Sequence, residues 1–235
     1  YVDGRKVEEA QVEDTFGDYP PFAMTDFETG GFRASASGTS SDVNYPAWEA
    51  FDDDITDLNN VWHTPTTYNQ TDGGYIGTVR LAPSPVSAGE WLKIEMPHRL
   101  VVSYVMIRAR GSGGTYEGQA PEDFQICGSN DDVNWDVLAS FTGESPQDDG
   151  TSNYLVNSTK GYKYHAIVCS RTVSDTSTVI VIQNMEYYGH KEGDLTRFPE
   201  PTRVLKYPHI AMTGPGQRGY VVSRSTGYLN LPGWY

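Results

Sequence analysis

The chain has 235 residues with 17 basic and 31 acidic side chains, a formal net charge of −14. That length is enough for one domain with extra material or two small ones, and for a real core. The negative charge repels phosphate backbones and anionic membrane surfaces and so argues against nucleic acid as a partner, while 24 Gly, 14 Pro and 16 Tyr favour short strands joined by turns.

The opening Tyr1-Val2-Asp3-Gly4-Arg5 has neither an initiator Met nor a signal-peptide pattern and reads as an excerpt or a mature fragment. Residues 1–18 are acidic and polar, as a linker or the end of a preceding module. A carboxylate-rich stretch follows at Asp52-Asp53-Asp54, continued by Thr56 and Asp57, and then a long polar stretch after Trp62.

Strand signals dominate the middle. Trp91–Met96 alternates, with Leu92, Ile94 and Met96 on one face and Lys93 and Glu95 on the other; Val101–Arg110, Phe124–Cys127, Val137–Phe141, Tyr162–Cys169 and Thr178–Tyr188 are further candidates. No segment reads as an amphipathic helix of about ten residues or more, and none has the roughly 18 apolar residues that span a bilayer. Membrane insertion is therefore not expected. Cys127 and Cys169 each sit inside an apolar run, either as buried free thiols or as one cross-strand disulfide. The sequons at Asn69 and Asn157 lie in polar stretches and would be glycosylation acceptors on a secretory route.

Toward the C-terminus, Lys191–Lys206 is charged and contains Pro199 and Pro201, which suits a spacer. Beyond it the chain repeats itself. Tyr19-Pro20-Pro21-Phe22-Ala23-Met24-Thr25 returns as Tyr207-Pro208-His209-Ile210-Ala211-Met212-Thr213. Gly31-Phe32-Arg33-Ala34-Ser35 is echoed by Gly219-Tyr220-Val221-Val222-Ser223, and Asn44-Tyr45-Pro46-Ala47-Trp48 by Asn230-Leu231-Pro232-Gly233-Trp234. Three ordered matches divide the chain into a linker (1–18), a β-sandwich (19–189), a second linker (190–206) and the start of a second copy (207–235). The rival reading of the last segment is an added strand packing on its own domain. A second copy implies a tandem array.

Tyr45-Pro46-Ala47-Trp48-Glu49-Ala50-Phe51-Asp52, Trp62, Gly89-Glu90-Trp91-Leu92-Lys93-Ile94, Gly128-Ser129-Asn130-Asp131-Asp132-Val133-Asn134-Trp135 and Met185-Glu186-Tyr187-Tyr188-Gly189 occur in an order that resembles the discoidin, or coagulation-factor C-type, domain. The likeness covers about residues 19–189. It implies an all-β jelly-roll sandwich of the galactose-binding-like class with extended flanking segments, in which Gly128 ends a strand and Trp135 folds back over the core. It further implies binding of glycans, phospholipid head groups or proteins through loops at one end, no catalysis, and a structural calcium ion. The implied calcium set is Ala50, Asp52, Asp54, Thr56, Asp57, Asn184 and Glu186; the carboxylates and hydroxyl are hard oxygen ligands of the kind calcium takes. Two departures weaken that set: Asp53 stands where the family commonly has Gly, and extra residues separate Thr56 from Trp62. The alternative is a solvated acidic turn.

Sugar recognition combines aromatic stacking with planar hydrogen-bond donors, which marks His63, Tyr68, Tyr75, Arg110 and Tyr116 as ligand candidates. There is no His-Glu-x-x-His, Gly-x-Ser-x-Gly, phosphate-binding glycine loop or paired-cysteine metal motif, so no enzyme is expected. Two functions remain in competition. One is a surface-exposed structural or adhesive repeat module on a cell, secreted filament or virion, whose partners are neighbouring copies of itself and glycans. The other is a carbohydrate-binding accessory module of a larger secreted enzyme.

Overall fold

Residues 15–41, 44–111, 116, 118–145, 150–173 and 177–194, with the backbone of 221–222 and 229–230, are described by a computed structural model of the chain. In chain order the elements are β1 (Gly17–Tyr19), β2 (Glu28–Thr29), β3 (Phe32–Ala36), a 3-10 helix (Ala47–Phe51), β4 (Trp62–His63), β5 (Glu90–Ala109), β6 (Pro121–Ser129), β7 (Trp135–Phe141), β8 (Thr151–Leu155), β9 (Tyr162–Thr172) and β10 (Val181–Lys191). Two further strands, β11 (Val221–Val222) and β12 (Leu229–Asn230), pair with each other antiparallel. The residues Thr15–Gly193 form one compact unit.

The runs Trp91–Met96 and Val101–Arg110, expected as two strands, are one. β5 is continuous over 20 residues and belongs to two sheets. Its first half lies between β3 (Arg33↔Glu95 to Ala36↔Leu92) and β9 (Glu90↔Cys169 to Glu95↔Tyr164), with β6 and then β7 beyond β9. Its second half lies between β8 (Tyr104↔Leu155 to Arg108↔Thr151) and β10, and β1 completes the outer edge of β10. The change of sheet falls at Pro97–Arg99, where the register with β9 breaks between Glu95 and Leu100. All pairings are antiparallel, as expected for a sandwich.

Alternation decides what faces inward. Leu92, Ile94 and Met96 from the first half of β5 meet Val105 and Ile107 from the second, together with Phe124, Ile126, Ile167, Ile182, Met185 and Tyr187, in one buried cluster. Each such side chain contributes about 1.5–3 kcal/mol on full burial. A second cluster gathers Cys127, Trp135, Ala166 and Val168 under Ala82 and Val86. Trp135 therefore covers this smaller cluster and not the main core. Gly128 lies within β6, where a Cβ would come within 2.6 Å of the Tyr162 ring, so it serves close packing as well as the end of the strand.

The two cysteines resolve in favour of free thiols. Both are buried, Cys169 in the main core and Cys127 in the second cluster, so the two thiols lie on different sides of the same sheet. Burial pushes the Cys127 thiol up to about 12 and that of Cys169 higher still, leaving neither as a ready nucleophile.

Candidate functional site

At one end of the sandwich, where β5 runs out, five side chains converge. Arg110 is the first residue past β5 and is only 7% exposed. Its guanidinium lies over the Tyr116 ring at 3.8 Å and donates from Nη2 to Asn59 Oδ1 at 3.3 Å. The Nε–H, also buried, has no acceptor among the described residues. A guanidinium lying over an aromatic ring is held in place by cation–π attraction as well as by its hydrogen bond.

His63 sits beside it on β4, the short strand that adds to β10 through Val181↔His63 and Ile182↔Trp62. Trp62 is fully buried and anchors the pair, its indole N–H donating to the Gly38 carbonyl at 3.2 Å. His63 Nδ1 bonds the Thr64 carbonyl at 2.8 Å, and its ring stacks on Tyr45 with centroids 5.1 Å apart. Burial lowers the His63 pKa, and the Arg110 charge lowers it further, so the imidazole is neutral at physiological pH. The result is a half-buried surface of two aromatic rings, an imidazole, a guanidinium and the Asn59 amide. It contains hydrogen-bonding groups of both signs and an apolar face, with no titrating nucleophile.

No family model matches this chain, and no curated protein matches it. Among solved structures the chain is similar to a family 32 carbohydrate-binding module from Clostridium perfringens, determined with galactose. The identity is 19%, the match covers 67% of this chain and 93% of that one, and the TM-score is 0.47. It is also similar to the C-terminal domain of a chitobiase from Bacteroides fragilis, with 20% identity, 68% and 94% coverage and a TM-score of 0.46. An F5/8 type C domain from Bacteroides fragilis matches at 13% identity, 72% and 97% coverage and a TM-score of 0.47. The structural neighbours are carbohydrate-binding modules and discoidin-type domains. At these identities no residue role is carried over.

Of the five ligand candidates read from the sequence, the structure brings His63, Arg110 and Tyr116 together. Tyr68 does not join them. It is 1% exposed, and its hydroxyl donates to the Cys169 carbonyl at 3.0 Å, so it is a core residue. Tyr75 packs against Tyr68 at 5.5 Å, donates to Glu90 Oε1 at 3.3 Å and accepts from Val79 N at 3.0 Å, which makes it part of the same internal network. Sequence reasoning missed Tyr45 and Asn59. Tyr45 was visible only as part of a family motif, and the position of Asn59 depends on a turn whose geometry no short pattern encodes.

The residues expected to hold calcium hydrogen-bond within two separate groups, the Asp52–Asn60 turn and the Asn184–Tyr188 stretch of β10. Asp54 Oδ1 accepts from Thr56 N (2.8 Å), Thr56 Oγ1 (2.7 Å) and Asp57 N (3.2 Å), while its Oδ2 accepts from Asn60 Nδ2 at 3.0 Å. Asp52 Oδ1 accepts from Asp54 N at 2.9 Å, and Ala50 is fully buried in the 3-10 helix. Asn184 Nδ2 donates to Glu186 Oε1 at 3.0 Å, and Glu186 Oε2 accepts from Tyr188 at 2.5 Å. Each of these carboxylates accepts a hydrogen bond from the turn or from a neighbouring side chain. Among the described residues no three His, Cys, Asp or Glu side chains gather to hold a metal ion.

Burial instead leaves several of these acids reluctant to ionise. Glu49, which accepts from Val61 N at 3.1 Å, is raised to about 7 chiefly by desolvation, and Asp52 to about 6 by the same cause. Burial also raises Asp53 and Glu186, with help from the Asp18 charge. The two sequons differ. Asn157 is exposed with a positive φ of 50°, whereas Asn69 is half-buried and its Oδ1 accepts from Thr71 N at 2.9 Å.

Proposed function

We propose that this module is a non-catalytic, extracellular glycan-binding domain that grips one sugar ring at the end of the sandwich. A sugar offers adjacent hydroxyls and an apolar C–H face. The guanidinium of Arg110 suits the first, and the Tyr45 and Tyr116 rings suit the second. His63 and Asn59 add acceptors and donors that fix orientation. The observation that carries this reading is Arg110 itself, nearly buried, lying over Tyr116, bonded to Asn59 and still short of one acceptor among the described residues. A donor left unsatisfied in a buried position is costly unless a partner completes it.

The test is calorimetric titration with galactose beside a panel of immobilised glycans. Wild type is expected to bind at least one sugar, and Arg110→Ala to lower that affinity by at least about 50-fold. Binding that is unaffected by both Arg110→Ala and Tyr116→Ala would sink the reading, as would a panel with no signal for wild type.

A second reading, assembly with neighbouring copies, is favoured by the repeat. Tyr19, Met24, Phe32 and Ala34 are all buried here, and their counterparts Tyr207, Met212, Tyr220 and Val222 keep the aromatic or aliphatic character that packing requires. The matching residues 207–220 lie outside the described residues, and β11 includes Val222. Light scattering over a wide concentration range checks this: a constant monomer mass for the full chain removes self-association.

A further inference from the structure

The ladder between β10 and β5 pairs Ile182 with Ala109 and Asn184 with Arg108, so Gln183 is an extra residue with no partner across the strand. Such a bulge turns a side chain away from the position that alternation would give it. Gln183 is fully buried, and its Nε2 donates to the Asp57 carbonyl at 3.3 Å. From Asp57 the connections continue to the site. The same carbonyl accepts from Asn60 N at 3.3 Å. The Asp57 carboxylate accepts from Asn59 N at 2.8 Å, and Asn59 Oδ1 receives Arg110 Nη2 at 3.3 Å.

The other half of the amide gains nothing. Gln183 Oε1 is buried without a donor among the described residues. A buried, half-satisfied amide is a poorer filler than Leu or Met, so what this residue supplies is the N–H that reaches Asp57. We propose that Gln183, the extra residue of the β10 bulge, is a positioning residue that fixes the Asp57–Asn60 turn and through it the Asn59–Arg110 pair. Its functional meaning rests on the glycan-binding reading above; its geometry does not.

The experiment uses the full chain without ligand. Gln183→Met keeps the shape and removes the donor. Amide hydrogen exchange followed by NMR at Asn59 and Asn60 is expected to quicken at least about tenfold, with Ile167 in β9 unchanged. Galactose, or whichever panel sugar wild type binds, should bind about fivefold more weakly. Unchanged exchange at Asn59 and Asn60 overturns the proposal. Faster exchange in a protein whose wild type binds no sugar leaves the positioning role standing and removes the glycan reading instead.

Should Gln183→Met fail to fold, Gln183→Glu decides. An ionised carboxylate repels the Asp57 carbonyl, whereas the protonated acid donates an O–H to it. Exchange at Asn59 and Asn60, referred to wild type at the same pH, must therefore slow as the variant is taken from roughly pH 8 to pH 5. No recovery on acidification rejects the role.

Discussion

Two polar loops of this module use similar residues to opposite ends. Between β6 and β7, Asp131 accepts from Val133 N, Asn134 N and Asn134 Nδ2 at 2.7–3.0 Å. Ser129 donates its hydroxyl proton to the Asn134 carbonyl at 2.6 Å, and Lys93 closes on Asp132 at 2.8 Å. The bonds from the Asn134 side chain and backbone hold the Asp131 carboxyl well below the usual range. At the other loop, spanning Glu49 to His63 and facing Arg110, burial raises Glu49 and Asp52 and lowers His63, and Arg110 Nε has no acceptor among the described residues. The first loop has satisfied itself and is scaffold. The second has hydrogen-bonding capacity left over, and that surplus is what a ligand can use.

The sharpest way to break this contrast is Asp131→Ala, which removes the acceptor of three bonds. It should lower the melting temperature by several degrees at pH 7 and leave sugar affinity unchanged. The sign follows from a folded pKa depressed below the unfolded value of 3.8: the stabilisation is present above that pH and is lost as pH falls through the folded pKa. Melting followed by circular dichroism, with calorimetric binding in parallel, checks both halves.

Arg110→Lys is the converse, a change confined to the open loop. The charge stays and the planar fork goes, so affinity for the bound sugar should fall about tenfold while melting is little altered. Loss of stability without loss of binding would reverse the assignment of the two loops. A smaller effect is expected from Glu49→Gln. The folded protein keeps a proton on Glu49 up to about pH 7, while the unfolded chain releases it near 4.5. The folded state thus binds more protons across that window, its stability falls as pH rises through it, and the penalty is complete above 7. Gln removes the charge and keeps an acceptor for Val61 N, so the variant should melt higher than wild type at pH 8 and lose that advantage toward pH 4.5. The smallest effect is that of a chelator. With Asp54 closed on Thr56, Asp57 and Asn60, addition of EDTA or of calcium should leave the melting temperature unmoved, and a clear calcium-dependent rise would reinstate the ion.

The β character of the chain was legible because strand alternation is local: Leu92, Ile94 and Met96 face the core as their spacing required. That the two strongest runs form one strand was not, since only the partners on either side of Pro97–Arg99 keep β5 extended through the bend. For the site, Arg110, Tyr116 and His63 stood out by residue type, as aromatic rings and planar hydrogen-bonding groups. Tyr68, with the same chemistry, turned inward because Cys169 offers its carbonyl 101 positions away. Asn59 and Gln183 carry no motif. Their roles arise from a turn and a bulge, features set by how strands far apart in sequence come into register.

The two ends of the sandwich unit also have a mechanical consequence. β1 enters along β10, with Gly17 opposite Gly189, and Thr15 Oγ1 accepts from the Lys191 amide at 2.9 Å, so the chain arrives and departs through adjacent, antiparallel strands. Tension applied at residues 15 and 191 loads these few bonds in succession, like a zip pulled open, and not all at once as in shear. The unit therefore yields first at β1 under load, while β5, held on both sides along its length, keeps the core and the Arg110 end intact.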